Sequence, residues 1–412
     1  MRSRFAFIDC VRGYAVLLVF TCHLSYEYAN LPYPVSRLTS LGWHGVQLFF
    51  VASAVTLMMS WSREREKHGS PSVTGFFARR FFRIAPSYYL AALVYYVVAP
   101  PAGGVDLGQL ATSFAFINSW YPSWTPSTGT DWMVVPGGWS VGVEFTFYAL
   151  FPLIASVVTT AARAVILIAV AVVAGSLCND AAVPPLLTHF DTPSVLHFIY
   201  FWFPNQFVVF AIGTAIFFPI AHLHTRAGEA TRLTLSRWST PLALLAALAF
   251  FSLSYLPLSE SLSFHTLMPT RFMVGALIMA AFVLMLSTVE ESLLVNRVVA
   301  LVGKVSFSAY LWHFAVLWLL PGAFPLVFHT QATGVAAIAA FAISWFLLCP
   351  IVVLISYGTY RLIENPMIRL GQRLLARGTA SATPPADVPA GMNDDAPAAS
   401  RPGLARSATA RP

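Results

Sequence analysis

The sequence predicts an all-α fold: a polytopic integral membrane bundle of about ten transmembrane helices with both termini cytoplasmic. Three observations carry this expectation. Of the 412 residues, 57% are hydrophobic and 10% charged, and the mean hydropathy is +0.70, whereas an ordinary soluble domain carries roughly 25% charged residues. Apolar runs of roughly 20 residues, enough to cross a hydrocarbon core of about 30 Å, recur from the first dozen residues to about position 357. Basic residues cluster between these runs in regular alternation, as cytoplasmic loops do under the positive-inside rule.

Taken in order, spans are expected at about 10–30, 43–61, 84–100, 139–158, 164–178, 198–221, 240–258, 271–289, 300–320 and 333–357. The N-terminal "MRSRFAFIDCVRGYAV" begins with two arginines, as a signal peptide does. Asp9 and Arg12 interrupt its apolar region and no small-residue cleavage site follows, so it reads as a retained first helix. With the N-terminus inside, the cytoplasmic segments hold Arg2 and Arg4, "SREREKHG" and "RRFFR", Arg163, then Arg226, Arg232 and Arg237, Arg297, and finally Arg361, Arg369, Arg373 and Arg377. The opposite loops carry Asp106, Asp131, Asp180, Asp191 and Glu260, with Arg271 at a span boundary. Reading 108–117 as a full span would invert every later segment, so 101–138 is expected to be a long external loop. Its "NSWYPSWTPSTGTDW" suits an interfacial aromatic belt or a carbohydrate-stacking surface. Two units follow: a membrane-embedded domain over 1–377 and an Ala/Pro-rich cytoplasmic tail over 378–412, too poor in aromatic and branched residues to fold.

The net charge of +7 is spread over short clusters with no continuous patch, so topology explains the excess and nucleic acid is not expected as a partner. Cys10, Cys22, Cys178 and Cys349 show neither C-x-x-C nor zinc-ligand spacing, so no disulfide framework and no metal site is expected. Cys22 adjoins His23, but neighbours on a helix point about 100° apart, which leaves Cys22 a packing role.

Ionisable residues inside a membrane are costly and usually mark function, and five stretches contain them. Arg12 and His23 lie eleven residues apart, about three helical turns or ~16 Å along one face. Asp9, one turn before Arg12, is placed to pair with it. Arg12 would sit near the cytoplasmic interface and His23 beyond the midplane; the alternative is an anchoring arginine and a packed core histidine. "FFARRFFRIAPSYYL" puts Arg79, Arg80 and Arg83 before the third span, either as positive-inside anchors or as guanidiniums for a multiply phosphorylated ligand. "GGWSVGVEFTFYALFP" opens the fourth span from outside with Trp139 and carries Glu144 deeper in, at a depth compatible with His23 or with a helix–helix polar lock. "LVGKVSFSAYLWHFAVLW" repeats Ser306, Tyr310 and His313 at helical spacing. In "YGTYRLIENP", Arg361 and Glu364 are expected to pair at the interface and Pro366 to discourage continuation of the helix.

These five stretches, in this order and on this topology, resemble the acyltransferase-3 family of integral membrane acyltransferases, which modify bacterial surface polysaccharides and other acceptors. The resemblance covers about residues 5–366. The family's arginine, ten residues and histidine are matched by Arg12 and His23, and its arginine pair before the third helix by Arg80 and Arg83. Its W-S-x-x-x-E is matched by Trp139, Ser140 and Glu144, its S-x-S-x-Y-L-x-H by Ser306, Ser308, Tyr310, Leu311 and His313, and its I-E-x-P by Ile363, Glu364 and Pro366. The chain departs from it in having Ser53-Ala54 where Ser-Gly is usual, a matter of close packing more than of acyl chemistry. It resembles the unfused, single-domain members.

The resemblance implies a membrane O-acyltransferase of the bacterial inner membrane. Its donor would be acyl-CoA, commonly acetyl-CoA, in the cytoplasm, used as a substrate with no permanently bound cofactor. Its acceptor would be a hydroxyl of a cell-surface or exported glycan or of its lipid-linked precursor. Catalysis must then bring donor and hydroxyl together, remove the proton and stabilise an oxyanion. On this reading His23 is the general base, Glu144 orients it or neutralises its charge, Arg80 and Arg83 hold CoA phosphates, and Arg12 positions the donor. Trp139, Tyr310 and His313 contact substrate, His313 through acceptor binding or proton transfer. Imidazole is also a nucleophile, and the residues do not separate direct transfer from an acyl-histidine route. Two rivals are a transporter or flippase for an amphipathic glycan or lipid, which would use the buried charges as a polar path, and a noncatalytic membrane scaffold.

Overall fold

The computed structural model describes residues 6–125, 132–256 and 270–381, and every regular element among them is helical. In chain order these are α1 (Ala6–Tyr26), α2 (Tyr33–Ser40), α3 (Gly45–His68), α4 (Val73–Val98), α5 (Leu107–Phe114), α6 (Trp139–Val157), α7 (Ala161–Leu186), α8 (Thr192–Phe201), α9 (Phe203–Leu223), α10 (Glu229–Ser252), α11 (Arg271–Ser287), α12 (Arg297–Lys304), α13 (Ser306–Ala323), α14 (Pro325–Phe328), α15 (Gly334–Thr359) and α16 (Asn365–Ser381). Among the described residues, eight stretches are long and apolar enough to cross a membrane: α1, α2 with α3, α4, α6, α7, α8 with α9, α10, and α15 with α16. The other two expected spans fall on α11, which has 17 residues, and on α12 with α13, a pair bent by 76°. The described part of each of the ten expected spans thus lies mainly on helix.

Five helices have first-turn donors satisfied by a capping side chain, which matters where lipid offers no hydrogen bonds. The side chains of Ser72, Thr160, Thr270 and Asn296 accept from the first turns of α4, α7, α11 and α12. Asp106 accepts from the amides of Gly108 and Gln109 and starts α5. With 8 residues, α5 reaches only about 12 Å, so 101–138 does not cross the membrane there.

The C-terminal part differs from expectation. Pro366 does not end the helix. Lacking an N–H, it leaves the carbonyl one turn earlier without its α-helical partner, and a π turn over Tyr360–Glu364 absorbs the mismatch so that the chain continues as α16. The expected Arg361–Glu364 pair is not formed. Arg361 lies 3.4 Å from the Tyr357 hydroxyl, while the buried Glu364 carboxylate accepts from Ser308 Oγ at 3.0 Å. The reason is the wider turn, which carries Glu364 inward to face α13. α16 runs to Ser381, past the boundary expected at 377. Arg2, Arg4, Asp131, Glu260 and the tail beyond 381 lie outside the described residues.

Helices in lipid gain little from apolar burial against one another, so they associate through close approach and hydrogen bonds. α1 shows both along its length. A side chain on Gly303 would fall on the Asp9 carbonyl, and one on Gly13 on the Val299 carbonyl, so α1 and α12 touch backbone to backbone. Gly42 and Gly45 meet α1 in the same way, at the carbonyls of Leu18 and Ala15. Tyr14 donates to the Leu294 carbonyl at 2.8 Å and Trp345 Nε1 to Thr21 Oγ1 at 2.9 Å; two residues past the end of α1, Tyr28 donates to the Phe328 carbonyl at 2.7 Å. The helix that carries Arg12 and His23 is thereby fixed in rotation and height. Gly303→Val should destabilise the protein by about 1–3 kcal/mol, the usual range for overpacking. Gly322→Val, at a position open to 4 Å, should not. Equal melting temperatures in detergent for the two variants would contradict this packing.

Candidate active site

Four helices bring the singled-out polar residues into one pocket. Arg12 enters from α1, Arg80 and Arg83 from α4, Ser140 and Glu144 from α6, and Ser306 and Tyr310 from α13, while Phe49, Phe50 and Ser53 of α3 supply a wall. The spacing explains the convergence on α4: Arg80 and Arg83 are one turn apart and face the same side, whereas Arg79 points away and pairs with Glu64 at 2.6 Å. The cluster "RRFFR" therefore divides into one structural ion pair and two pocket guanidiniums. Arg80 lies over the rings of Tyr148 and Phe76, at 5.7 and 5.9 Å, a placement that steadies a cation without neutralising it.

The expected pairing of Asp9 with Arg12 is not made. Arg12 Nη2 donates to Thr56 Oγ1 of α3 at 3.3 Å, and Asp9 lines a separate cavity with His224, Arg232, Arg297 and Lys304. Glu144 likewise accepts from a hydroxyl, Ser53 Oγ, at 2.5 Å. Among the described residues, no ion pair links the pocket's three arginines to an acid, and Glu144 is the single carboxylate in its lining. The pocket is a positively charged recess in an apolar bundle, suited to an anion.

His23 meets His313, not Glu144: His23 Nδ1 and His313 Nε2 are 3.0 Å apart. The rings of Phe314 and Tyr26 flank His23, with centroids at 4.4 and 6.0 Å. The histidine pair does not line the arginine pocket; Tyr310 connects the two. Its side chain is in the pocket, where the hydroxyl donates to the Gly137 carbonyl and lies 2.9 Å from Ser140 Oγ. Its backbone carbonyl is 2.8 Å from His313 Nδ1. Gly137, with φ of +76°, takes a conformation that favours glycine, and a side chain there would strike the Tyr310 ring.

Trp139 sits outside the pocket lining, 7% exposed and stacked on Phe201 at 4.3 Å. Cys22 is buried within 3.4 to 3.5 Å of the Tyr26 hydroxyl and the Ser40 carbonyl, consistent with packing. Thr56 was not singled out from the sequence, and Ser53 and Ser308 were named only as motif positions, without the charged partners they bond to: Arg12 for Thr56, Glu144 for Ser53 and Glu364 for Ser308. The available signal was weak: isolated hydroxyls within apolar helices, which more often bond to their own backbone.

Comparison with known proteins identifies the family. The profile of the acyltransferase domain family Acyl_transf_3 matches residues 5–361. The chain is 26% identical to Acyltransferase MdmB of Streptomyces mycarofaciens, over 95% of this chain and 96% of that protein. It is 25% identical to the Exopolysaccharide production protein ExoZ of Rhizobium meliloti, over 81% and 92%. A shorter match, 28% identical over 35% of this chain and 23% of the relative, is to the Peptidoglycan O-acetyltransferase OatA of Listeria monocytogenes. No solved structure matches. A polytopic helical bundle matched by that profile over nearly the whole chain, this protein belongs to the Acyl_transf_3 acyltransferase family.

Proposed function

We propose that the protein is an O-acyltransferase of the bacterial inner membrane that takes an acyl group, acetyl in the first instance, from cytoplasmic acyl-CoA. It transfers the group to a hydroxyl of a cell-surface or exported glycan or of its lipid-linked precursor. The observation that carries this reading is the arginine pocket, in which three guanidiniums from α1 and α4 face a single carboxylate. Coenzyme A is polyanionic, and arginine binds phosphate through charge-assisted, often bidentate hydrogen bonds. The distribution of basic loops supports a cytoplasmic opening for the end of α1 that bears Arg12. The two relatives whose names mention peptidoglycan O-acetylation and exopolysaccharide production support a glycan acceptor.

In this mechanism the arginines bind and orient the donor, and Tyr310 and Ser140 close the pocket. His23 removes the proton of the acceptor hydroxyl. Positioning a thioester and a hydroxyl together supplies much of the rate enhancement, and a placed base contributes a further 10²–10⁴-fold, roughly.

Vesicles containing the protein, labelled acetyl-CoA and an acceptor extract should yield a labelled glycan product identifiable by mass spectrometry. His23→Ala should abolish labelling at wild-type protein levels in the membrane, and near-normal turnover would remove His23 from the mechanism. Arg80→Ala should weaken donor binding about tenfold or more, as expected for loss of a hydrogen bond between charged groups. Arg79→Ala, outside the pocket, should leave donor affinity unchanged. The same affinity in both variants would refute the phosphate role. Movement of glycan without consumption of acyl-CoA would favour a transporter.

A further inference from the structure

His313 has no exposed surface, and both of its ring nitrogens are engaged. Nδ1 faces the backbone carbonyl of Tyr310, one turn earlier in α13, at 2.8 Å. A carbonyl oxygen only accepts, so Nδ1 carries a proton and the lone pair of the neutral ring lies on Nε2. Nε2 in turn faces Nδ1 of His23 at 3.0 Å. Two lone pairs cannot form a hydrogen bond, so His23 donates from Nδ1 and its own lone pair lies on Nε2, on the side of the ring away from His313. The chain from the Tyr310 carbonyl through His313 to His23 thus sets the tautomer of His23, together with the Val19 carbonyl one turn earlier in α1, which the His23 ring also reaches. With both nitrogens used and no surface exposed, His313 has nothing left to offer an acceptor.

We infer that His313 is a positioning residue that holds His23 in the Nδ1–H tautomer, making His23 Nε2 the nitrogen that takes the acceptor proton; this rests on the reading of His23 as the base in acyl transfer. As the acceptor oxygen bonds to the thioester carbonyl carbon, its proton passes to His23 Nε2. The resulting imidazolium keeps its Nδ1–H on His313. Collapse of the tetrahedral intermediate breaks the carbon–sulfur bond, and the thiolate leaves with the proton from Nε2 as the free thiol. His313 changes neither charge nor protonation. Its contribution is alignment, with a neutral acceptor in the place that a carboxylate takes in serine hydrolases. The flanking Phe314 ring, 4.4 Å from His23, restricts the ring plane further.

The test uses the full-length protein in vesicles with labelled acetyl-CoA and the acceptor extract. His313→Phe keeps a packed aromatic ring and removes the acceptor. It should lower kcat by about 10²-fold, within the range a positioned base contributes, leave the donor KM unchanged, and move the acid limb of the kcat–pH profile to lower pH, because the imidazolium loses its partner. His313→Gln places Oε1 near the position of Nε2 and can accept from His23; it should regain about tenfold of that loss, the worth of one hydrogen bond to a charged group. Wild-type kcat in His313→Phe would overturn the inference. An equal loss in both variants with an unmoved acid limb would overturn it in favour of packing alone. Absence of transfer by the wild-type protein would instead refute the acyltransfer reading itself, and this inference with it.

Discussion

In a medium without water, every buried polar group must find its partner inside the protein, and this constraint organises the molecule. In the pocket and its surroundings it is met in one particular way. Charged side chains are hydrogen-bonded by small hydroxyls of neighbouring helices: Arg12 by Thr56, Glu144 by Ser53, Glu364 by Ser308. A hydroxyl satisfies a donor or an acceptor without cancelling its charge. Ion pairs at the same positions would have neutralised the recess, whereas hydroxyls hold the Arg12 guanidinium and the Glu144 and Glu364 carboxylates, and aromatic rings steady Arg80, with their fields left available to a ligand. The one ion pair described among these motifs, Arg79 with Glu64, lies outside the pocket on partly exposed side chains, where it fixes α3 to α4.

Close backbone approach is the second half of the same solution. Because Gly303, Gly13, Gly42 and Gly45 have no side chains, α1 is held by close backbone contact from Asp9 to Leu18. Its arginine and histidine therefore point to fixed places in the bundle. Tyr310 then joins the two parts of the site. Its hydroxyl braces the start of α6 at Gly137, and its carbonyl engages His313 and through it His23. A substrate that disturbed the pocket at Tyr310 would act within one residue of the histidine pair. This link is short: one residue and two hydrogen bonds, of 2.8 and 3.0 Å.

The fold was largely legible in the amino-acid sequence, because membrane spans are written as length and hydropathy: the described parts of all ten expected segments lie mainly on helix, and rejecting 108–117 as a span agrees with the eight residues of α5. The residues of the pocket were legible too, since Arg12, Arg80, Arg83 and Glu144 are ionisable groups where such groups are costly. Their partners were not. Spacing within one helix suggested Asp9 for Arg12 and Arg361 for Glu364, and depth suggested Glu144 for His23. All three suggestions rest on position along a single axis, and none contains the rotation of one helix against another.

The sequence by itself determined that the chain is a helical membrane bundle, where its helices run, and which side chains are too costly to be there without purpose, because each of these follows from local hydropathy and charge. Only the tertiary structure decided which of those side chains meet. The pairing of His23 with His313, and the choice of hydroxyls over opposite charges, depend on crossing geometry between segments 290 residues apart in the chain. Glycine contacts and a π turn set that geometry, and their consequences appear only when the helices pack.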